Sequence, residues 1–269
     1  MDKILKGVVK YNLLDKARFV NDIDKFTKKI VQPQTVFISC MDSRVLPSKF
    51  VHSAIGETFY VRNAGNMVPH HEDYLAGYIS SEGGGLELGC IVNNIRNVVI
   101  CGHSDCRALY ALYDMRRNCD HKHHHPQSPL KTWVALNGRR SANRFSELFP
   151  DEVKRNNFAD PVIFEVNLGQ GLIKAFIDPE NEFCIQDKLS QINCLEQASH
   201  VTTYPNLQEF IKTGELQIHA MWYDVYTGNV YLFSPSQRRF VIISDSNVAS
   251  LLSECGCQSC AGELKKSQP

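Results

Sequence analysis

Thr35-Val-Phe-Ile-Ser-Cys40-Met-Asp42-Ser-Arg44 is an apolar, β-prone run that passes straight into a thiol, an acid and a guanidinium. Buried strands ordinarily stop at turn formers such as Gly, Asn or Pro, so reactive groups at this point mark the strand end as a place of chemistry. The design recurs downstream in Asn97-Val-Val-Ile-Cys-Gly102-His103-Ser104-Asp105-Cys106. Two strands thus deliver Cys40, His103 and Cys106.

Two thiolates and an imidazole are borderline-soft donors that suit Zn2+, and three protein ligands leave the fourth tetrahedral position open. That composition is catalytic, because structural zinc sites close all four positions, mostly from tight local pairs. Ser104 is expected to cap a helix whose first turn carries Cys106, where backbone N–H groups and the helix dipole favour a thiolate. Asp42 and Arg44, at alternating positions after Cys40, should both lie near the metal. Arg44 can take the Asp42 carboxylate in a bidentate pair and keep it off the open position.

Working outward, strands alternate with helices, which implies a parallel sheet with right-handed crossovers. Strand one spans about Thr35 to Cys40, strand two Thr58 to Asn63, and strand three begins near Asn97. If strand three lies beside strand one on the side away from strand two, the order reverses between them. Open α/β sheets bind ligands at such a reversal, beyond the carboxyl ends of the strands. Leu216 to Asp224 is expected to complete the parallel set, and Tyr226-Thr-Gly-Asn229 to turn the chain into an antiparallel edge strand from Asn229 to Phe233. The expected fold is α/β: a central, mostly parallel sheet in order 2-1-3-4 with an antiparallel edge strand, flanked by helices and preceded by a helical arm.

The arm, residues 1–30, reads as two amphipathic helices from Ile4 to Ile30, whose apolar stripes suit packing on the chain's own sheet as well as across a second subunit. Gly83-Gly84-Gly85 lacks the Lys-Ser/Thr ending of a phosphate cradle and reads as a loop or helix entry. A short helix, Leu86 to Asn94, should follow with Leu88, Ile91 and Val92 facing the sheet. Further helices are expected from Asp105 to about Arg117 and from Asp187 to about Val201, the latter with Leu189, Ile192, Leu195 and Ala198 on one face. Asn206 is expected to cap another that ends at Gly214. Pro161-Val-Ile-Phe-Glu-Val166 is strand-like without an evident partner. His121-Lys-His-His-His125 reads as a solvated loop, although such a tract can bind metal. Cys255-Gly-Cys257-x-x-Cys260 offers three close thiols but no adjacent fourth ligand, and reads as the start of a flexible tail, about 256–269. Cys90, Cys101, Cys184 and Cys194 read as small buried hydrophobes.

With 269 residues, 43% of them hydrophobic, the chain can bury a sizeable core, and with no linker in view it reads as a single domain, 1–269. Its 29 basic and 29 acidic residues balance, so no global field recruits nucleic acid or an anionic membrane surface. Neither a bilayer-spanning run nor a secretory signal is evident, and unpaired thiols suit a reducing compartment, so an intracellular location is expected.

Cys40-x-Asp42-x-Arg44 followed by His103-x-x-Cys106 resembles the zinc signature of the β-class carbonic anhydrases, in particular their animal, mitochondrial-type branch. The resemblance extends to Val61-Arg62-Asn63-Ala64-Gly65-Asn66, Leu86-Glu87-Leu88-Gly89, Asp187-Lys188-Leu189-Ser190-Gln191 and Ile218-His219-Ala220-Met221-Trp222, and so spans nearly the whole chain. It implies one catalytic Zn2+ per chain, catalytic roles for Asp42 and Arg44, and reversible hydration of carbon dioxide to bicarbonate and a proton. It also implies a small apolar substrate pocket at Phe59, Ala64, Leu88 and Gly102. A homodimer crossed by the N-terminal arm is implied too, as is a mitochondrial location, with the cytoplasm as the alternative. Arg62 and Asn63 read either as plain strand-end polar groups or as residues that support the site or the dimer contact. Two rivals are a zinc hydrolase of CS2 or COS on the same fold, and a non-catalytic zinc or thiol sensor. Asp42-x-Arg44 speaks against the sensor, since a structural site needs no acid with a restraining base.

Overall fold

Two helices, α1 (Asp2–Leu14) and α2 (Lys16–Thr27), precede strand β1 (Thr35–Cys40) in a computed structural model that describes residues 1–27, 32–75, 80–117, 128–149, 162–169 and 171–256. Next come α3 (Pro47–Phe50), β2 (Thr58–Asn63), α4 (His71–Leu75) and α5 (Ser81–Leu86), and α5 runs directly into a π-helical turn over Glu87–Val92. Strand β3 (Asn97–His103) is followed by α6 (Arg107–Arg117), α7 (Pro129–Asn137) and α8 (Arg139–Leu148). A hairpin of β4 (Val162–Asn167) and β5 (Leu172–Ile177) leads to α9 (Ile185–Val201), a 3₁₀ turn at Pro205–Leu207, and α10 (Gln208–Lys212). The described chain closes with β6 (Gln217–Tyr223), β7 (Val230–Ser234), β8 (Arg239–Ile242) and α11 (Val248–Glu254).

The main sheet has the order β2-β1-β3-β6-β7-β8. Its first four members are parallel, and β7 and β8 add antiparallel. The reversal lies between β1 and β3, as their strand-end chemistry led one to expect. Asn229 to Phe233 is antiparallel as expected, but β8 pairs beyond it, so β7 is not the edge. The strand-like run at 162–166 finds its partner in β5, with Val162 opposite Ile177, in a separate two-stranded sheet.

Leu189, Ile192, Leu195 and Ala198 of α9 are fully buried against β3 and β6. The rest of α9 is buried as well, against α6, α8, β4 and β5, so polar Lys188, Gln191, Asn193 and Gln197 are enclosed too, while Ser190 is buried at the sheet itself. A buried charge is tolerable only when paired. Lys188 is paired, with Asp178.

Several expectations change. The glycine triplet lies inside α5, capped by Ser80, whose hydroxyl accepts the Gly83 N–H at 3.2 Å. Leu88, Ile91 and Val92 point outward, because i→i+5 bonding, as from Asn93 N–H to the Leu88 carbonyl, turns a different face to the sheet. Gly89 and Cys90 face inward instead. A Cβ on Gly89 would stand 2.3 Å from Val36 Cγ2, so glycine lets the π-turn lie directly on β1. Asn206 lies within the 3₁₀ turn rather than capping a helix. Cys184 is exposed at the N-cap of α9, not buried in a strand. The His121–His125 tract, Cys257 and Cys260 lie outside the described residues.

Candidate metal centre

Parallel pairing in the register Ser39 opposite Cys101 sets the carboxyl ends of β1 and β3 side by side. Cys40 and His103 leave those ends, and Cys106 follows three residues later at the N-cap of α6. The donor atoms of the three residues lie within 4.8 Å of one another, and all three residues are buried. The sulfur atoms are 3.9 Å apart. A disulfide would require about 2.05 Å, whereas two Zn–S bonds of about 2.3 Å span this gap at an angle of about 116°, close to tetrahedral.

The imidazole is set for ligation. His103 Nδ1 donates to the Ser104 carbonyl at 2.7 Å, which leaves the lone pair on Nε2. Nε2 is buried without a hydrogen-bond partner among the described residues. Cys40 is drawn down to about 4, chiefly by its bond with Cys106 and then by His103. Cys106 goes up through the same bond and its burial, so the two sulfurs hold one proton between them. A divalent cation replaces that proton. Soft donors, an orphaned ring nitrogen and a near-tetrahedral sulfur pair together fit zinc.

Ser104 does not cap α6. Its hydroxyl donates to Asp224 at 2.7 Å and accepts the Val225 N–H, tying the β3 end to the β6 end. Cys106 fills the cap position itself, with the Ala108 and Leu109 N–H groups on its sulfur.

Arg44 grips Asp42 through two parallel contacts, Nε to Oδ1 at 3.0 Å and Nη2 to Oδ2 at 2.8 Å. This pairing holds the Asp42 carboxyl down at about 2 and pushes the guanidinium pKa up. Asp42 stands outside the group of three potential ligands. The other side of Arg44 is held by Asp105, whose carboxylate accepts from Nη1 at 2.7 Å and whose carbonyl accepts from Nη2 at 3.1 Å. Arg62 braces the same loop by donating to the carbonyls of Cys40, Asp42 and Val45. Asn63 instead orders the next turn, bonding Met67 and Glu82.

A family model for carbonic anhydrase matches residues 35–230, the span from the first residue of β1 to the first of β7. The chain belongs to the carbonic anhydrase family. It is 38% identical over 257 residues to the beta carbonic anhydrase 1 of Caenorhabditis elegans and to that of Caenorhabditis briggsae, covering 94% of this chain and 92% of each relative. The solved structure of the beta-carbonic anhydrase CcaA superposes with a TM-score of 0.69 at 20% identity, covering 91% of this chain and 92% of that one. These likenesses place it in the beta class, whose members are zinc enzymes.

In this carbonic anhydrase the buried polar side of α9 supports the centre. Ser190 donates to the His103 carbonyl at 2.7 Å and accepts from Trp222 Nε1, while Asp187 accepts the Asp105 N–H at 2.8 Å. Asn193 donates to the Gly65 carbonyl, and Gln197 accepts the Val68 N–H. None of these roles, nor that of Asp105, follows from local sequence. Their traces are polar residues interleaved among apolar ones in the α9 run and, for Asp187 and Ser190, their place in the Asp187–Gln191 stretch that carries the resemblance.

Of the four residues expected at the substrate pocket, Phe59 and Ala64 pack on the main core, and the Ala64 carbonyl accepts from Trp133 Nε1 at 2.9 Å. Leu88 is 51% exposed on the π-turn. Gly102 packs tightly, since a Cβ there would meet Trp222 Cδ1 at 3.0 Å and Cys194 Cβ at 3.1 Å. These neighbours mark it as a place where β3 meets α9.

Proposed function

We propose that this carbonic anhydrase reversibly hydrates carbon dioxide to bicarbonate and a proton at the centre formed by Cys40, His103 and Cys106. The observation that carries the assignment is the buried two-thiol, one-imidazole cluster at the sheet reversal, with the Asp42–Arg44 pair beside it. Zinc bound there supplies a Lewis acid that makes water acidic enough to react near neutral pH. Asp42, ionised throughout the working range, accepts a hydrogen bond from the reacting water and orients it. Arg44 keeps that carboxylate at its post, and Asp105 fixes Arg44. The site is tested by zinc analysis paired with stopped-flow hydration assays. Chelator treatment, Cys40→Ser or Cys106→Ser should each remove zinc and activity together, and normal zinc content and turnover in Cys106→Ser would overturn the ligand set.

A homodimer is proposed as the working form. Helix α1 has no buried residue and exposes Ile4, Leu5, Val8, Val9, Leu13 and Leu14, a surface that a second copy would cover. A chain that shares the fold at a TM-score of 0.59 belongs to one of two tetrameric beta-carbonic anhydrases from the ascomycete Sordaria macrospora. Mitochondrial residence is proposed on resemblance alone, and imaging of a tagged full-length chain tests it.

A further inference from the structure

Asp187 is 4% exposed, and among the described residues no cation pairs with it. Its neighbours are two donors, the Asp105 N–H at 2.8 Å and the Cys184 thiol. A buried carboxylate without a counter-cation is costly, so its retention calls for a reason. Its place in the first turn of α9, where an acid suits the helix dipole, supplies only part of one.

The bond to Asp105 supplies the rest. That N–H is one end of the Ser104–Asp105 peptide group, and the other end is the Ser104 carbonyl, which accepts from His103 Nδ1 at 2.7 Å. The peptide is trans, so its N–H and C=O point in opposite directions, and carboxylate, peptide and imidazole stand in series. The peptide is also locked on both sides. Ser104 donates its N–H to the Tyr223 carbonyl at 3.0 Å, and its hydroxyl is held by Asp224 and Val225. Asp105 has φ +53°, in the left-handed region, which a non-glycine residue keeps only where its surroundings fix it. Arg44 does so through the Asp105 carboxylate and carbonyl.

We propose that Asp187 is a positioning residue for the metal centre, acting on His103 through the Ser104–Asp105 peptide. The carboxylate draws on the N–H and so enriches the carbonyl oxygen, which takes the Nδ1 proton more strongly and leaves more electron density on Nε2. In many metal sites a carboxylate does this to the histidine directly, whereas here a peptide group stands between them. The role rests on the reading of Cys40, His103 and Cys106 as the metal ligands.

The test compares wild type with Asp187→Asn, which keeps the size and an acceptor oxygen but removes the charge. In the full-length protein loaded with cobalt(II), the Nδ1 proton of a single histidine ligand gives one solvent-exchangeable, hyperfine-shifted NMR signal. Asp187→Asn should shift that signal and speed its exchange with solvent, and should weaken zinc binding about tenfold in competition with a chromophoric chelator. An unchanged signal and affinity, even with a lower melting temperature, would mean that Asp187 only supports the start of α9 and would overturn the proposal. A measurement on wild type alone covers a variant that folds poorly: the Asp105 amide should exchange slowly with deuterium, and exchange at the rate of an open loop would equally refute the relay. Should wild type bind cobalt(II) without sulfur-to-metal charge-transfer absorbance, the ligand assignment itself fails, a result that no behaviour of Asp187→Asn can mimic.

Discussion

Arg44 donates to both oxygens of Asp42 and also to Asp105, so one guanidinium sits between two carboxylates beside the metal centre. Arg44→Ala should release Asp42 to occupy the open metal position. Hydration is then nearly abolished while zinc stays bound, as stopped-flow kinetics and metal analysis on one preparation would show; a wild-type rate and pH profile would refute this gate. The Asp42 carboxyl titrates at about 2 in the folded chain, below its unfolded value of about 3.9. Its contribution to stability is therefore present above about pH 4 and lost as pH falls through about 2, and it does not shape the profile near neutrality. Two thiolate ligands offset the charge of a dication, so the rate should instead rise toward alkaline pH. The ligands and this pair were legible because they interrupt a strand pattern where turn residues belong. Asp105, Ser104 and Asp187 were not, because their partners lie up to 120 positions away in the chain.

Helical periodicity misassigned the face of the 87–92 segment, since a count of 3.6 residues per turn does not hold where bonding runs i→i+5. Gly89 marks the real inward face. Gly89→Ala should cost about 1–3 kcal/mol through the clash with Val36, lowering the melting temperature. Gly84, exposed in α5 with nothing within 4 Å of its Cβ position, makes the contrasting control. Gly84→Ala should stabilise by about 0.5–1 kcal/mol. Equal melting temperatures for the two variants would contradict the packing described. The parallel strands could be read because each is a short apolar run ending in chemistry or a turn. The β4 strand could be recognised but not placed, since its partner β5 begins with an exposed Leu172 and carries Lys174, and so lacks an apolar signature.

Across the molecule, acid sensitivity should come from a buried histidine. His200, 3% exposed, donates from Nδ1 to the Val68 carbonyl, and burial lowers its pKa to about 4. Its folded value lies below the unfolded one of about 6.5, so the unfolded chain takes up the proton first and stability falls as pH drops from about 6.5 toward 4. Between pH 7.5 and 5 the loss from this residue is about 2 kcal/mol. Denaturant titrations of wild type and His200→Gln should show a shallower pH dependence in the variant. The amphipathic arm was legible from periodicity, but what covers it was not, because a single chain does not display its partner. Removing residues 1–24 should shift the mass measured by light scattering, and an unchanged, soluble, active species would make the arm dispensable.

Cys40 and Cys106 are 66 positions apart and meet only when β1 pairs with β3 across the excursion through β2. Closing so long a loop is slow, and no short peptide from this chain carries the full ligand set. Zinc therefore cannot nucleate refolding. It is captured late, after the sheet centre has assembled, so recovery of tight metal binding should lag behind recovery of helix signal in stopped-flow experiments. By the same reasoning, escape of the ion to a chelator is gated by parting of β1 from β3, and its rate should track amide hydrogen exchange in those two strands.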